Sequence, residues 1–411
     1  MLCLLALLSA AAQEAPQRKP EFSLSLIGGG TVPNSSKESY IRGSDFGLAA
    51  AVDWQSDGRE YWERFWQKPT FGIQLEYLRS TNGIAGDRIA VAGEMRNVVW
   101  RSKSAADRPG YTHSVFWNIG AGAAVFTNPY ERSKDTLNEF IGSYINCIFN
   151  LGAGYRVDFP DRSALSFGLR FSHSSNGYML KPNKGLNYLL ASASYTLPHG
   201  QVQPPVAARR TGVSTDSLRA VPNAAFRNNL ARFSSHRLWL SFAPSMVQSR
   251  WFATQVTVKP KHKYYFAYTA QAGYMYYPNQ CLGFGASIDV MYNYSHVEMV
   301  EVLYKKDGTM PYLGTSLNFE PRWGIMSIRA GIGYYLVKSE IVDIPVYERL
   351  GVFFHFGRRL NHFAGVTIKA HAAHADYIEW HYGIEIFVLG KKSNAADRLL
   401  PTASVLDASG M

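Results

Sequence analysis

In the stretch Phe71–Tyr77 apolar side chains hold the odd positions, Phe71, Ile73, Leu75 and Tyr77, while Gly72, Gln74 and Glu76 fill the even ones. Val115–Val125 alternates in the same way, with Val115, Trp117, Ile119, Ala121, Ala123 and Val125 set against Phe116, Asn118, Gly120, Gly122 and Ala124. A third run, Ile145–Phe159, opposes an apolar odd row from Ile145 to Phe159 to Asn146, Ile148, Asn150, Gly152, Gly154, Arg156 and Asp158. Successive strand side chains point to opposite sides, so a period of two marks strands with one apolar face. Strands in globular proteins are usually about 5–6 residues long, and these runs pass ten. Long strands with an apolar face and a small or polar second face predict a transmembrane barrel, apolar row to lipid and the other row to the lumen.

Eight such strands are predicted before residue 198, near 21–31, 45–56, 69–80, 87–101, 111–128, 142–159, 163–176 and 186–197. Residues 199–237, rich in Pro, Ala, Arg and Asn, break the alternation and read as a linker. It resumes at Leu238 and supplies about eight more strands, the last ending at Phe387. There Met326, Ile328, Ala330, Ile332 and Tyr334 oppose Ser327, Arg329, Gly331 and Gly333, and Ile378 to Ile386 oppose Glu379, His381, Gly383 and Glu385. The halves echo each other: NIGAGAAVF and YERS in the first resemble RAGIGYYLV and YERLG in the second, and LSFGLRFSHSSN parallels FAGVTIKAHAAH. The expected fold is all-β, an antiparallel transmembrane outer-membrane β-barrel architecture of about 16 strands in two eight-stranded repeats, residues 20–198 and 238–387. Small residues on the lumen row (Gly120, Gly122, Gly152, Gly154, Gly168, Ser192, Ser194) favour two narrow barrels in tandem over one wide one.

The ends follow another logic. Residues 1–12, MLCLLALLSAAA, are apolar and close on a small-residue site, Ala10–Ala12, which predicts a signal peptide. Residues 388–411 read as a disordered tail. No apolar run outside the start reaches the length of a transmembrane helix. Beyond Cys3 only Cys147 and Cys281 remain, one per half, so no disulfide framework is indicated. The chain has 411 residues, 25 Tyr, 23 Phe and 9 Trp, only 18% charged residues, and a formal net charge of +11. On an exported β-rich chain that charge argues against nucleic acid and for an anionic membrane surface, such as the phosphates of lipopolysaccharide.

Chemistry concentrates in Phe171–Tyr188, FSHSSNGYMLKPNKGLNY. Residues two apart on a strand share a face, so His173 and Ser175 stand as neighbours, as a base and a nucleophile must. Their parity is that of Leu165, Phe167, Leu169 and Phe171, the lipid row, while Ser172 and Ser174 point to the lumen. Asn187 leads the next strand with the parity of Leu189, beside His173. With a periplasmic N-terminus the seventh strand runs outward, which puts the pair at the outer leaflet, where lipid A is concentrated.

The run His173, Ser175, Asn176, Pro182, Asn183, Gly185 resembles the lipid A deacylases of the PagL type, and most of all their longer relatives, the Bacteroidetes-type acyloxyacyl hydrolases. The resemblance extends loosely over residues 20–198, and IKAHAAHADYIEW is similar to the longer relatives alone. It implies an outer-membrane serine esterase acting on lipid A. Ser175 would be nucleophile, His173 general base and Asn176 oxyanion donor, the acyl ester at the 3 position would be cleaved, and no metal or organic cofactor is called for. The family's third catalytic position is a Glu, and Asn187 stands there. An Asn can accept the Nδ1–H of His173 through its amide oxygen, but it lacks the charge that steadies an imidazolium.

In the second repeat Ala372 falls on His173 and His374 on Ser175, so the pair is absent there. His371, His374 and Asp376 cluster in sequence, but the two histidines fall on opposite strand faces, which argues against a metal site. A non-enzymatic barrel (porin-like or lipopolysaccharide-binding) and an outer-membrane phospholipase are the competing readings, and a homodimer stays open.

Overall fold

The computed structural model describes residues 20–198 and 234–390, apart from 59, 103–110, 132–136, 249–263, 306–310, 340, 358–360 and 373. The expected signal peptide, the body of the linker and most of the expected tail lie outside the described residues. Eight antiparallel strands close the first barrel: β1 (Glu21–Val32), β2 (Ser44–Gln55), β3 (Thr70–Ser80), β4 (Arg88–Arg101), β5 (Thr112–Phe126), β6 (Ile145–Asp158), β7 (Ala164–Ser175) and β8 (Leu186–Thr196). β1 pairs with both β2 and β8, so no edge is left. Eight more close the second: β9 (Ser235–Gln248), β10 (Tyr264–Asn279), β11 (Leu282–Asn293), β12 (Tyr312–Trp323), β13 (Met326–Val337), β14 (Val346–Phe356), β15 (Asn361–His371) and β16 (His374–Gly390). The tandem barrels expected from the small lumen residues are thus present. β9 begins three residues before Leu238 and β16 runs three past Phe387, because pairing of Gly390 with Ser235 continues the ladder beyond the last clear apolar alternation.

Alternation becomes orientation. Leu24, Leu26, Leu75, Val91, Phe167 and Leu169 are exposed on the outside of the first barrel, and Ile288, Leu317, Ile332 and Trp380 on the outside of the second. Aromatic residues flank the first barrel's apolar band at one end, Phe22, Trp54, Trp100 and Tyr195 among them, as in membrane-spanning barrels. No helix among the described residues is long and apolar enough to cross a membrane.

The lumens are filled by polar and charged side chains, joined in the second barrel by a buried aromatic cluster of Trp239, Tyr277, Phe353 and Phe363. In the first barrel Glu76 bridges Arg88, at 2.5 Å, and Arg170. Arg88 also donates to Ser172 at 3.0 Å and Ser174 at 3.2 Å, and its guanidinium lies 4.4 Å from the Tyr188 ring centroid. These contacts hold the inner face of β7 directly behind His173 and Ser175. Above them, at the end where the segments 33–43, 81–87, 127–131, 137–144 and 176–185 gather, Ile41, Leu78, Phe126, Phe140, Ile141 and Leu186 pack into a buried apolar cluster. The end of the barrel that carries the site is therefore solid on both its lumen and loop sides.

Candidate active site

The site is built on the outer face of β7 and β8. Register pairs His173 with Asn187 on one side and Phe149 on the other, and Ser175 with Cys147. His173 Nδ1 lies 2.6 Å from Asn187 Oδ1. An amide oxygen can only accept, so Nδ1 carries the proton and Nε2 keeps the lone pair that a general base needs.

Ser175 departs from the expectation of an open lipid-facing side chain. Its parity is exterior, yet it is only 6% exposed, whereas Phe171, four residues back on the same row, is 40% exposed. The cover is the β7–β8 loop. Asn183 Nδ2 donates to Ser175 Oγ at 2.8 Å and the Gly177 N–H donates to it at 3.1 Å. Asn183 Oδ1 accepts the Asn176 N–H at 3.1 Å, so one side chain pins both ends of the turn. Two donors therefore converge on Ser175 Oγ itself.

Asn176 is placed otherwise than expected of an oxyanion donor. Its Nδ2 hydrogens go to Ser143 Oγ at 3.0 Å and the Leu180 carbonyl at 2.9 Å. It is a buried loop anchor, and Asn183, known from the sequence only as part of a turn, is the side-chain donor at Ser175. The Pro-Asn-x-Gly turn itself held that signal: an Asn inside a tight turn beside the serine has both a donor and an acceptor to place.

Gly185 has a physical requirement of its own. Its φ is +76°, and a Cβ there would meet His173 Cε1 at 2.6 Å and Nε2 at 3.2 Å. The motif glycine is thus the space that admits the imidazole. Glu139 and Phe140 brace the same turn: the Lys184 and Gly185 N–H groups donate to the Glu139 and Phe140 carbonyls at 3.1 Å each, and Lys184 Nζ bridges Glu139 at 2.5 Å and Glu38 at 3.0 Å. The hydrogen bond and charge of Glu139 hold the Lys184 ammonium above its usual 10.5, against the opposing effect of burial.

In the second barrel the corresponding position is a turn. β15 stops at His371, Ala372 takes a φ of +49°, and β16 starts at His374. His371 packs on Tyr335, whose hydroxyl lies 3.0 Å from Nε2, and Asp376 Oδ2 stands 3.7 Å from its Nδ1 while bridging Lys369 at 2.5 Å. Asp376 is thus committed to an ammonium. Deeper in this lumen Ser327 Oγ lies 2.8 Å from His355 Nε2, with Glu320 and Glu385 close by. Arg237, Arg322 and Arg329 already neutralise those two carboxylates, which makes the cluster an ion-pair network and not a cation site.

Residues 47–196 match the family model of the lipid A 3-O-deacylase (PagL), and residues 237–388 match that of the acyloxyacyl hydrolase C-terminal domain. No curated protein matches the chain. Among solved structures the outer membrane enzyme PagL is similar at 20% identity and a TM-score of 0.29, covering 43% of this chain and 99% of that one. The siderophore receptor PirA from Acinetobacter baumannii is similar at 10% identity and a TM-score of 0.22, with 87% and 53% covered. A mutant Rh. blastica porin is similar at 8% identity and a TM-score of 0.17, with 90% and 99% covered.

Proposed function

From a chain whose first barrel matches the lipid A 3-O-deacylase (PagL) family and whose second matches the C-terminal domain of the acyloxyacyl hydrolases, we propose an outer-membrane hydrolase that removes an ester-linked acyl chain from lipid A. The observation that carries the mechanism is the alignment of His173 Nδ1 on Asn187 Oδ1 at 2.6 Å, one pleat from a serine already met by two hydrogen-bond donors. Ser175 Oγ attacks the ester carbonyl carbon while His173 Nε2 takes its proton. The carbonyl oxygen, now negative, draws on the Asn183 Nδ2 and Gly177 N–H donors, an effect commonly worth about 3–4 kcal/mol for one such donor. Collapse expels the sugar oxygen, which leaves with the proton from His173. Water, deprotonated by His173, then attacks the acyl-serine, whose bond to Ser175 Oγ breaks as His173 returns the proton to Oγ, freeing the fatty acid. The exterior position of the site suits a substrate that arrives by lateral diffusion within the membrane. By family resemblance the bond is the 3-O ester, and the site end of the barrel faces the outer leaflet.

Mass spectrometry of lipid A from cells making the wild-type protein or Ser175→Ala tests this reading. Loss of one acyl chain with the wild type and none with the variant is expected. An unchanged acyl pattern with folded wild-type barrels would sink it.

A further inference from the structure

Asn34 lies just beyond the end of β1, 153 positions before Asn187, and its side chain touches that of Asn187. We propose that Asn34 is a positioning residue that orients the Asn187 amide and so sets the tautomer of His173. The proposal deepens the reading of His173 as general base and rests on it. Asn34 Nδ2 donates to the Lys184 carbonyl at 3.2 Å and the Gly185 carbonyl at 3.5 Å. Carbonyl oxygens only accept, so this end of the amide must be its NH2 group and the oxygen must face the other way. Asn34 Oδ1 lies 2.5 Å from Asn187 Nδ2. An amide oxygen likewise only accepts, so Asn187 turns its NH2 to Asn34 and its Oδ1 to His173. The proton then belongs on Nδ1 and the lone pair on Nε2. Two backbone carbonyls of the loop thus set the direction of a chain of hydrogen bonds that ends on the base.

The device answers a difficulty special to Asn187. A carboxylate in that position accepts through either oxygen and needs no orienting. An amide has almost the same shape either way round but opposite polarity at its two ends. Turned over, it would aim an N–H at His173, draw the lone pair to Nδ1 and leave the proton on Nε2, the form that cannot deprotonate Ser175. Asn34 removes that ambiguity.

The test compares Asn34→Ala, Asn34→Asp and Asn34→Ala combined with Asn187→Glu in the purified full chain. Fatty acid release from lipopolysaccharide gives kcat and KM, with heat-modifiable gel mobility confirming folded barrels. Asn34→Ala should lower kcat roughly 2- to 12-fold, the range of one net hydrogen bond, with little change in KM. Asn34→Asp should stay within about threefold of wild type, because a carboxylate still accepts from Asn187 Nδ2 although it cannot donate to the loop carbonyls. In the Asn187→Glu background, Asn34→Ala should cost less than about twofold. A mere loop tether predicts the opposite, with Asp as damaging as Ala and the Ala cost unchanged beside Glu; that result overturns the proposal. Side-chain nitrogen NMR of histidine-labelled protein, assigned by difference with His173→Gln, reads the tautomer without turnover and so separates this idea from the deacylase reading. The Nδ1–H form should dominate in wild type and Asn34→Asp and give way in Asn34→Ala. An unchanged tautomer in Asn34→Ala also overturns the proposal.

Discussion

In the first barrel Nδ1 of His173 meets an amide oxygen; in the second, Nδ1 of His355 meets the Arg322 guanidinium at 3.0 Å. Both histidines have a serine nearby, and His355 is joined directly to Ser327 Oγ at 2.8 Å. A guanidinium only donates, so Nδ1 of neutral His355 must hold the lone pair and Nε2 the proton. Its contact with Ser327 is therefore His donating to Ser, the reverse of activation. Ser327 is also fully buried in a lumen packed with ion pairs, while Ser175 sits on the outside under a loop. A serine beside a histidine thus says little by itself. The partner of the far ring nitrogen, and the face of the sheet, decide whether the pair can act on a lipid.

The sharpest way to break this comparison is to exchange the expected losses. His173→Ala should lower kcat/KM on lipopolysaccharide by about 10⁴-fold or more, the scale of losing one member of a serine–histidine unit. His355→Gln should leave the rate within about threefold, and a folded His355→Gln protein without activity would put the chemistry in the wrong barrel. Next comes stability. Glu320 accepts from both Arg322 and Arg329, and Glu320→Gln should destabilise the second barrel by about 3 kcal/mol by leaving buried guanidinium charge uncompensated. Denaturant unfolding in lipid vesicles would show this, with the deacylation rate unchanged below the transition. Gly185→Ala comes third: pushing the imidazole aside should cost about 10²-fold in kcat with the barrel intact.

The smallest effect concerns the Lys184 brace. Its folded-state pKa is raised, so its contribution is complete below the ordinary lysine value of 10.5 and fades as pH rises through the higher folded value. Lys184→Met should therefore be easier to cleave in the β7–β8 loop under limited proteolysis at neutral pH, and the gap from wild type should close above that range. A gap that persists at high pH would show that the ammonium is not what holds the loop.

Much of this was legible in the chain. The period-two rows placed all eight strands of the first barrel to within a few residues, because alternation is a local consequence of the pleat. The same parity set His173 on the outer face and Ser172 and Ser174 against Arg88 in the lumen. It also put Asn187 beside His173, since two adjacent strands joined by a short loop have few registers that keep both apolar faces outward. The burial of Ser175 was not legible. It depends on where a ten-residue loop folds back, and strand periodicity is silent about loops.

Local pattern along the chain carries the character of each strand, the side each residue takes, and the His173–Ser175–Asn187 row, because pleat and adjacent register are short-range properties. Which residues far apart in the chain meet depends instead on how the barrel closes and how its loops fold back. Asn34 reaches Asn187 because β1 closes onto β8, and Asn183 donates to Ser175 Oγ because the loop turns its side chain inward. Closure joins the ends of a chain by hydrogen bonds that no local pattern encodes, and the polarity of His173 depends on that closure.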